Sequence, residues 1–214
     1  MNVCSIRKNL QGDREVEWSW TAAWLPAGPG RALDFGPGAS HLALQAALKG
    51  FEVLSIDLTE VQRPYLHPSI TFQQGDLLAL DLAPASFDLV INCSTVEHVG
   101  LAGRYNVTED LPDGDLQAMK KLLGLMKPGG TMVMTVPVGL DKVYPPLHRV
   151  YGEERLPRLI EGFTIEREAY WIKDEANCWT PVPRAEALAF PTDAGSMNAL
   201  ENVYGLGGFV LKRP

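Results

Sequence analysis

Arg31-Ala32-Leu33-Asp34-Phe35-Gly36-Pro37-Gly38-Ala39-Ser40 holds the first complete unit of this chain: a strand, a glycine turn and the start of a helix. Arg31–Phe35 is largely apolar and reads as a strand that Gly36-Pro37-Gly38 closes. A helical pattern follows over Ala39–Leu48, with Gly50 where a left-handed residue ends a helix. A strand ending in D-x-G-x-G lets the backbone approach a ligand closely, because glycine carries no side chain. The helix start adds unpaired N–H groups and the positive end of a dipole.

Further along, short β-rich runs alternate with helical patterns, which argues for βαβ units around a parallel sheet. Strands are expected at Glu52–Asp57, near Ile70–Gln73, and at Phe87–Cys93, whose nearly continuous apolar run suits a strand buried on both faces. Leu116, Met119, Leu122, Leu123 and Met126 fall at helical spacing between Gly114 and Met126, with Asp115 as N-cap or first-turn acid. Pro128-Gly129-Gly130 stops that helix and Thr131–Val138 follows as a strand. After a loop containing Tyr144-Pro145-Pro146 come a helix at Gly152–Ile160 and strands at Phe163–Ile172 and Leu206–Lys212. The expected fold is therefore α/β, a doubly wound Rossmann-like sheet of seven strands with helices on both faces, in one domain spanning 1–214. A helical lead-in over 1–30 carries Trp18, Trp20 and Trp24, and an elaboration over 173–204, either lid or surface loop, joins the last two strands.

A chain of 214 residues with 46% hydrophobic and 21% charged residues can bury a sizeable core without disulfide or metal staples. Its formal net charge of −7 lacks the electrostatic footprint of a phosphate-backbone binder. The densest basic cluster, Arg7-Lys8, is only a pair. Cys4, Cys93 and Cys178 form no C-x-x-C spacing, so no zinc knuckle or redox dithiol is indicated, no metal is expected, and a reducing compartment suits the chain. The first residues turn charged with no apolar core of a signal peptide, and no run is long enough to span a membrane. A cytoplasmic protein is expected, its partner a small-molecule substrate and neither nucleic acid nor membrane, with a homodimer possible.

Asp57 lies nineteen residues past Gly38 at the end of the second strand, where an acid can bind both hydroxyls of a ribose. A dinucleotide fingerprint wants a third glycine, and His41 stands in its place. Asp34, read as lying at the mouth of the site, repels a pyrophosphate but suits an ammonium or sulfonium charge. S-adenosylmethionine carries both charges and no phosphate.

With these features the chain resembles, over nearly its whole length, the class I S-adenosylmethionine-dependent methyltransferases of the type-11-like kind. Asp34-Phe35-Gly36-Pro37-Gly38 looks like the family's first motif, although the usual third glycine is Ser40 here. Asp57 matches the ribose-binding acid, with Leu58 beside it. Gly75-Asp76-Leu77 resembles the pair that contacts adenine, a carboxylate for the exocyclic amine and a following N–H for the ring. Phe87–Asn92, Val96-Glu97-His98-Val99 and Leu125-Met126-Lys127-Pro128-Gly129-Gly130 resemble the fourth-strand motif, its E-H continuation and the turn before strand five. The segment Ser94–Met119 most resembles a little-characterised methyltransferase-like group of unknown function. The resemblance implies a sheet of order 3-2-1-4-5-7-6 with the last strand antiparallel. It also implies S-adenosylmethionine as cofactor, S-adenosylhomocysteine as product, and cofactor contacts that extend to Asn92 and Cys93.

His98 follows strand four at the edge where ligands bind, and is either a base for a hydroxyl acceptor or a helix-start residue held by backbone contacts. Arg104, Tyr105, His148 and Arg149 are candidates for substrate contact, the first two alternatively as loop pins. Cys93 reads as a small core residue rather than a nucleophile. Asn92-Cys93-Ser94-Thr95 is not the N-P-P-Y type sequence of base-amino methylases. Two rival readings stay open: a silent cofactor-binding partner subunit, and an NAD-type oxidoreductase, which His41 and the G-D and K-P-G-G motifs disfavour.

Overall fold

The computed structural model describes residues 11–62, 65–173, 178–197 and 202–214. Alternation along the strands explains the layering. Successive side chains of a strand point to opposite faces, so a strand covered on both sides must be apolar at nearly every position. In β1 (Gly30–Phe35) Leu33 and Phe35 enter one core while Ala32 enters the other. In β4 (Phe87–Cys93) Val90 goes to the first and Leu89 and Ile91 to the second, and in β5 (Met126–Val138) Met132 and Met134 oppose Val133. The first core is closed by α3 (Gly114–Leu125), α4 (Arg155–Leu159) and α5 (Arg184–Leu188), the second by α1 (Gln11–Trp24) and α2 (Leu42–Leu48).

With β2 (Phe51–Asp57), β3 (Ile70–Gln74), β8 (Thr164–Lys173), β9 (Trp179–Pro181) and β10 (Gly205–Lys212), the main sheet runs β3-β2-β1-β4-β5-β10-β8-β9. Strands β3 to β5 are parallel, and β10 is antiparallel to both β5 and β8. The expected order of seven strands is present, and an eighth strand, β9, is added at the edge. Four parallel strands therefore end on one edge at Phe35, Asp57, Gln74 and Cys93.

Other expectations need correction. The segment around Tyr144-Pro145-Pro146 is not a plain loop but the turn of a hairpin between β6 (Lys142–Tyr144) and β7 (His148–Val150). Helix α2 starts at Leu42 rather than Ala39, because Pro37–Ser40 closes a turn of its own, Ser40 N–H donating to Pro37 O at 2.9 Å. Helix α4 covers Arg155–Leu159 only. Within the elaboration, β9 and α5 extend the sheet and one core, and Asp193 bridges Val203. Cys4 and the Arg7-Lys8 pair lie outside the described residues.

Helix α1 lies against β10 because that strand carries Gly208: a Cβ there would stand 3.0 Å from the Trp20 indole. Trp20 in turn packs edge-on against Trp171 of β8, ring centres 6.2 Å apart. Gly208→Val is expected to lower stability by about 1–3 kcal/mol through overpacking. Adding Trp20→Ala should return part of that loss, so urea denaturation of the two single variants and the double variant should show non-additivity.

Candidate functional site

At the carboxyl edge of β1 to β4 lies a cavity of about 620 Å³, within the range of small-molecule sites. Gly36 and Gly38 form its floor. Gly36 has φ +66, and a Cβ there would meet the Thr95 side chain, whose Oγ1 donates to Gly36 O at 3.1 Å. Gly38 has φ +48 and nothing within 4 Å of a Cβ position, so its backbone is open to the cavity.

Asp57 and Asp76 also line the cavity. Asp57, at the end of β2, accepts from Thr59 N–H at 3.0 Å and Thr59 Oγ1 at 3.1 Å, both on Oδ1. Asp76 accepts Leu78 N–H at 2.8 Å, again on Oδ1. Each loop thus pins one oxygen, and Oδ2 of each has no hydrogen bond among the described residues. Phe35, Leu58, Gly75 and Leu77 complete this end of the lining.

Helix α1 supplies the roof with Arg14 and Trp18, the latter packed edge-on against His41 at 5.3 Å. Beneath it Ser94, at φ 47, donates through Oγ to Glu17 Oε2 at 2.5 Å. Cys93 also lines the cavity, its sulfur accepting from Thr135 Oγ1 at 3.3 Å. Burial, reinforced by the Glu17 charge, pushes its thiol well above the ordinary range, which leaves a small packing residue rather than a nucleophile.

His98 and Tyr105 form the far wall. His98 sits in a 3-10 turn, Val96–His98, directly after β4, and its Nδ1 lies 2.5 Å from Leu147 O in the β6–β7 hairpin. A carbonyl can only accept, so Nδ1 carries the hydrogen and Nε2 presents a lone pair. Burial, with the charges of Arg104 and Arg14 and the neighbouring His148, holds the imidazole down to about 3. His98 is therefore neutral with a defined tautomer.

Three expected site residues lie elsewhere. Asp34 is not at the mouth of the site: it is 2% exposed beneath the glycine turn, because its place in β1 turns it toward the α1–α2 side with Ala32. Asn92 is fully buried on the α3 side, where Nδ2 donates to Met119 Sδ at 3.4 Å and Oδ1 accepts Val96 N–H at 3.3 Å. Arg149 is a buried tie rather than a substrate contact. Its guanidinium donates to the carbonyls of Glu97, Val99, Leu111 and Pro112, and Nε lies 3.7 Å from Asp115 Oδ1. Arg155 holds the same carboxylate through Nε at 2.9 Å and Nη2 at 2.6 Å, and Tyr151 donates to it at 3.1 Å. Arg104 and His148 are not among the lining residues: Arg104 lies 4.6 Å over the ring of Tyr105 at the cavity's edge, and His148 packs 6.2 Å from the His98 ring. Arg14, Glu60, Val107 and Glu109 line the cavity without having been singled out from the sequence. None of the described residues of the elaboration lines it.

Comparison with solved structures places this architecture. The Burkholderia thailandensis 1,6-didemethyltoxoflavin-N1-methyltransferase, with bound 1,6-didemethyltoxoflavin and S-adenosylhomocysteine, is similar at a TM-score of 0.60 over 96% of this chain and 82% of its own, with 18% identity. This is the class I S-adenosylmethionine-dependent methyltransferase fold. The [4+2]-cyclase SpnF shares it at a TM-score of 0.64 over 96% of this chain and 84% of its own, with 16% identity. Among curated proteins, the provisionally named methyltransferase YqeM of Bacillus subtilis (strain 168) is 24% identical over 74% of this chain. EEF1A lysine methyltransferase 4 of Mus musculus is 32% identical over 51% of it. The chain spans 64% and 46% of the lengths of these two relatives. The family model described as "Caenorhabditis protein of unknown function, DUF268" matches residues 79–176, a little under half of the methyltransferase-fold chain. Among the described residues no helix is long and apolar enough to cross a membrane.

Two measurements check this geometry. Arg149→Met leaves the buried Asp115 and four carbonyls short of their partner and is expected to cost about 3–5 kcal/mol in denaturant unfolding. Burial also lowers His148 to about 4, so both histidines take up protons in the unfolded chain, near pH 6.5, before they do when folded. Their contribution is complete above about pH 6.5 and is lost as pH falls toward the folded values, by at most about 1.4 kcal/mol per pH unit for each. A folding stability that stays flat between about pH 7 and 5 contradicts their burial.

Proposed function

We propose that the cavity binds S-adenosylmethionine and that the protein transfers its methyl group to a small-molecule O, N or C nucleophile. The observation that carries this reading is the meeting, in one cavity, of the open Gly38 backbone with Asp57 and Asp76, each with Oδ1 pinned and Oδ2 available. Asp57 would take the ribose hydroxyls and Asp76 the exocyclic amine of adenine, with Leu58, Leu77 and Trp18 offering apolar surface to the rings. The bound cofactor supplies an electrophilic methyl on a sulfonium, and the chain has to align, exclude water and accept hydrogen bonds. His98 offers Nε2 to an acceptor hydroxyl or amine. An imidazole held near 3 is a weak proton store, so it orients the nucleophile rather than keeping its proton.

Support for a small acceptor comes from the bound 1,6-didemethyltoxoflavin of the Burkholderia structure and from the net charge of −7, which disfavours nucleic acid. The shared fold of a cyclase shows that the fold alone does not select the reaction, so binding and turnover have to be measured separately.

Calorimetric titration with S-adenosylmethionine, S-adenosylhomocysteine and NAD is expected to give binding of the first two and none of the third. Asp57→Ala should weaken that binding about tenfold or more, the loss of charge-assisted hydrogen bonds. His98→Ala should leave it within about twofold and lower turnover instead. Equal affinity in wild type and Asp57→Ala sinks the ribose assignment.

A further inference from the structure

Beyond the proposed cofactor end, one guanidinium and a chain of rings continue from the cavity wall. Arg104 lies 4.6 Å over the Tyr105 ring, Tyr105 is 5.7 Å from His98, His98 is 6.2 Å from His148, and His148 is 5.6 Å from Tyr204. Three separate parts of the chain build this group: the loop before α3, the β6–β7 hairpin and the end of the elaboration.

The group has polar capacity that the protein does not use. Arg104 is half-buried, and among the described residues its guanidinium meets no carboxylate and makes no hydrogen bond. Five donors and a full charge in that position are costly to leave unmatched. Arg14, the other guanidinium at this end, meets Glu17 at 3.4 Å. His148 Nε2 is buried with no hydrogen-bond partner among the described residues. His98 Nε2 offers its lone pair, with Glu97 Oε1 no nearer than 3.8 Å.

The backbone that presents Arg104 is strained as well. Tyr105 and Asn106 have φ 54 and φ 63, a pair of left-handed conformations that a bulky residue rarely adopts. The turn is tied by Gly103 N–H to Val107 O at 2.9 Å and Val107 N–H to Arg104 O at 3.0 Å. Strain of this kind collects where a side chain must be presented to a ligand.

We propose that Arg104 determines acceptor specificity, and that the acceptor is a small aromatic molecule bearing a carboxylate, its ring in the cavity against Tyr105 and His98 and its acid group on the guanidinium that packs over Tyr105. The inference rests on the methyltransferase reading of the cavity. A guanidinium fork matches a planar carboxylate in a bidentate way, and one positive charge balances one carboxylate. A phosphate dianion would leave a charge unmatched in a partly buried site. The Tyr105 and His98 rings, both in the cavity lining, suit a flat aromatic body better than an aliphatic chain. The net charge of −7 repels anions in general, so recognition of one has to come from a local cation.

The test is calorimetry on protein saturated with S-adenosylhomocysteine, wild type and Arg104→Gln. The probes are benzoate, 4-hydroxybenzoate, 2-aminobenzoate and indole-3-acetate, each beside its primary amide. At least one carboxylate is expected to bind wild type about tenfold more tightly than its amide, a preference that Arg104→Gln brings below about twofold. Affinity for S-adenosylhomocysteine and the melting temperature should be the same in both proteins, which excludes misfolding of the variant. If S-adenosylhomocysteine binds but every acid and amide pair is equal, or the preference survives in Arg104→Gln, the acceptor assignment is overturned. If S-adenosylhomocysteine itself fails to bind, the cofactor reading beneath it fails.

Discussion

The ion contact between Arg149 and Asp115, with side chains 1% and 0% exposed, is the constraint on which the far half of the cavity depends. Removing two charges from water is costly, and only dense hydrogen bonding repays it. Here the repayment is also the architecture. Arg149 leaves β7 and binds carbonyls on both sides of the loop between β4 and α3, namely Glu97 and Val99 at its start and Leu111 and Pro112 at its end. Asp115 sits in the first turn of α3, where a negative charge also suits the helix dipole, and Arg155 and Tyr151 fill its remaining positions. One buried cluster thereby fixes the loop that carries Tyr105 and the turn that carries His98. The same hairpin that delivers Arg149 delivers the Leu147 carbonyl that sets the His98 tautomer.

The near half depends on a different economy, in which two loops share a single backbone crossing. Thr95 after β4 fills the space a side chain on Gly36 would need and donates to its carbonyl, so the two strand ends cannot move apart independently. Ser94 in between is held at φ 47, a conformation costing about 1–3 kcal/mol that its bonds to Glu17 and Thr135 offset. Through Glu17 that bond reaches α1, so the helix that roofs the cavity is coupled to the strand end that floors it.

Legibility in the sequence followed the range of the interactions. Elements set by local pattern were readable: the glycine turn, the apolar runs of β1, β4 and β5, and the spacing of α3. The three-residue strands β6, β7 and β9 are too short to show a period, and their pairing is set by the chain around them. Site residues failed for a related reason. A motif names a position at a strand end but not the face it occupies, and one residue's difference in register sends a side chain to the other core. Asp34 and Asn92 lie on strands that end at the cavity yet turn away from it. Arg149 and His148 are neighbours in sequence, but alternation along β7 gives one to the buried tie and the other to the ring cluster. Arg14 enters from a helix with no motif to mark it, about eighty residues before the histidine whose field it shapes.

The charged groups around the cavity connect the two proposals. Asp57 and Asp76 line the cavity with Glu60, Glu109 and Arg14, the Asp34 carboxylate is buried in the strand below the glycine turn, and Arg104 packs over Tyr105. His98 and His148 stay neutral, each lowered first by burial, His98 further by His148 and Arg104, and His148 by Arg104. In a partly buried site such charges act more strongly than on the surface, because little water screens them. A cationic cofactor would meet the carboxylates of Asp57 and Asp76, and an anionic acceptor would need the Arg104 guanidinium to meet a favourable charge. Two protonated imidazoles there would oppose the cofactor's charge at the point of transfer. Their burial is therefore consistent with a site arranged around a positive centre, with His98 able to accept a hydrogen bond without bringing a charge of its own.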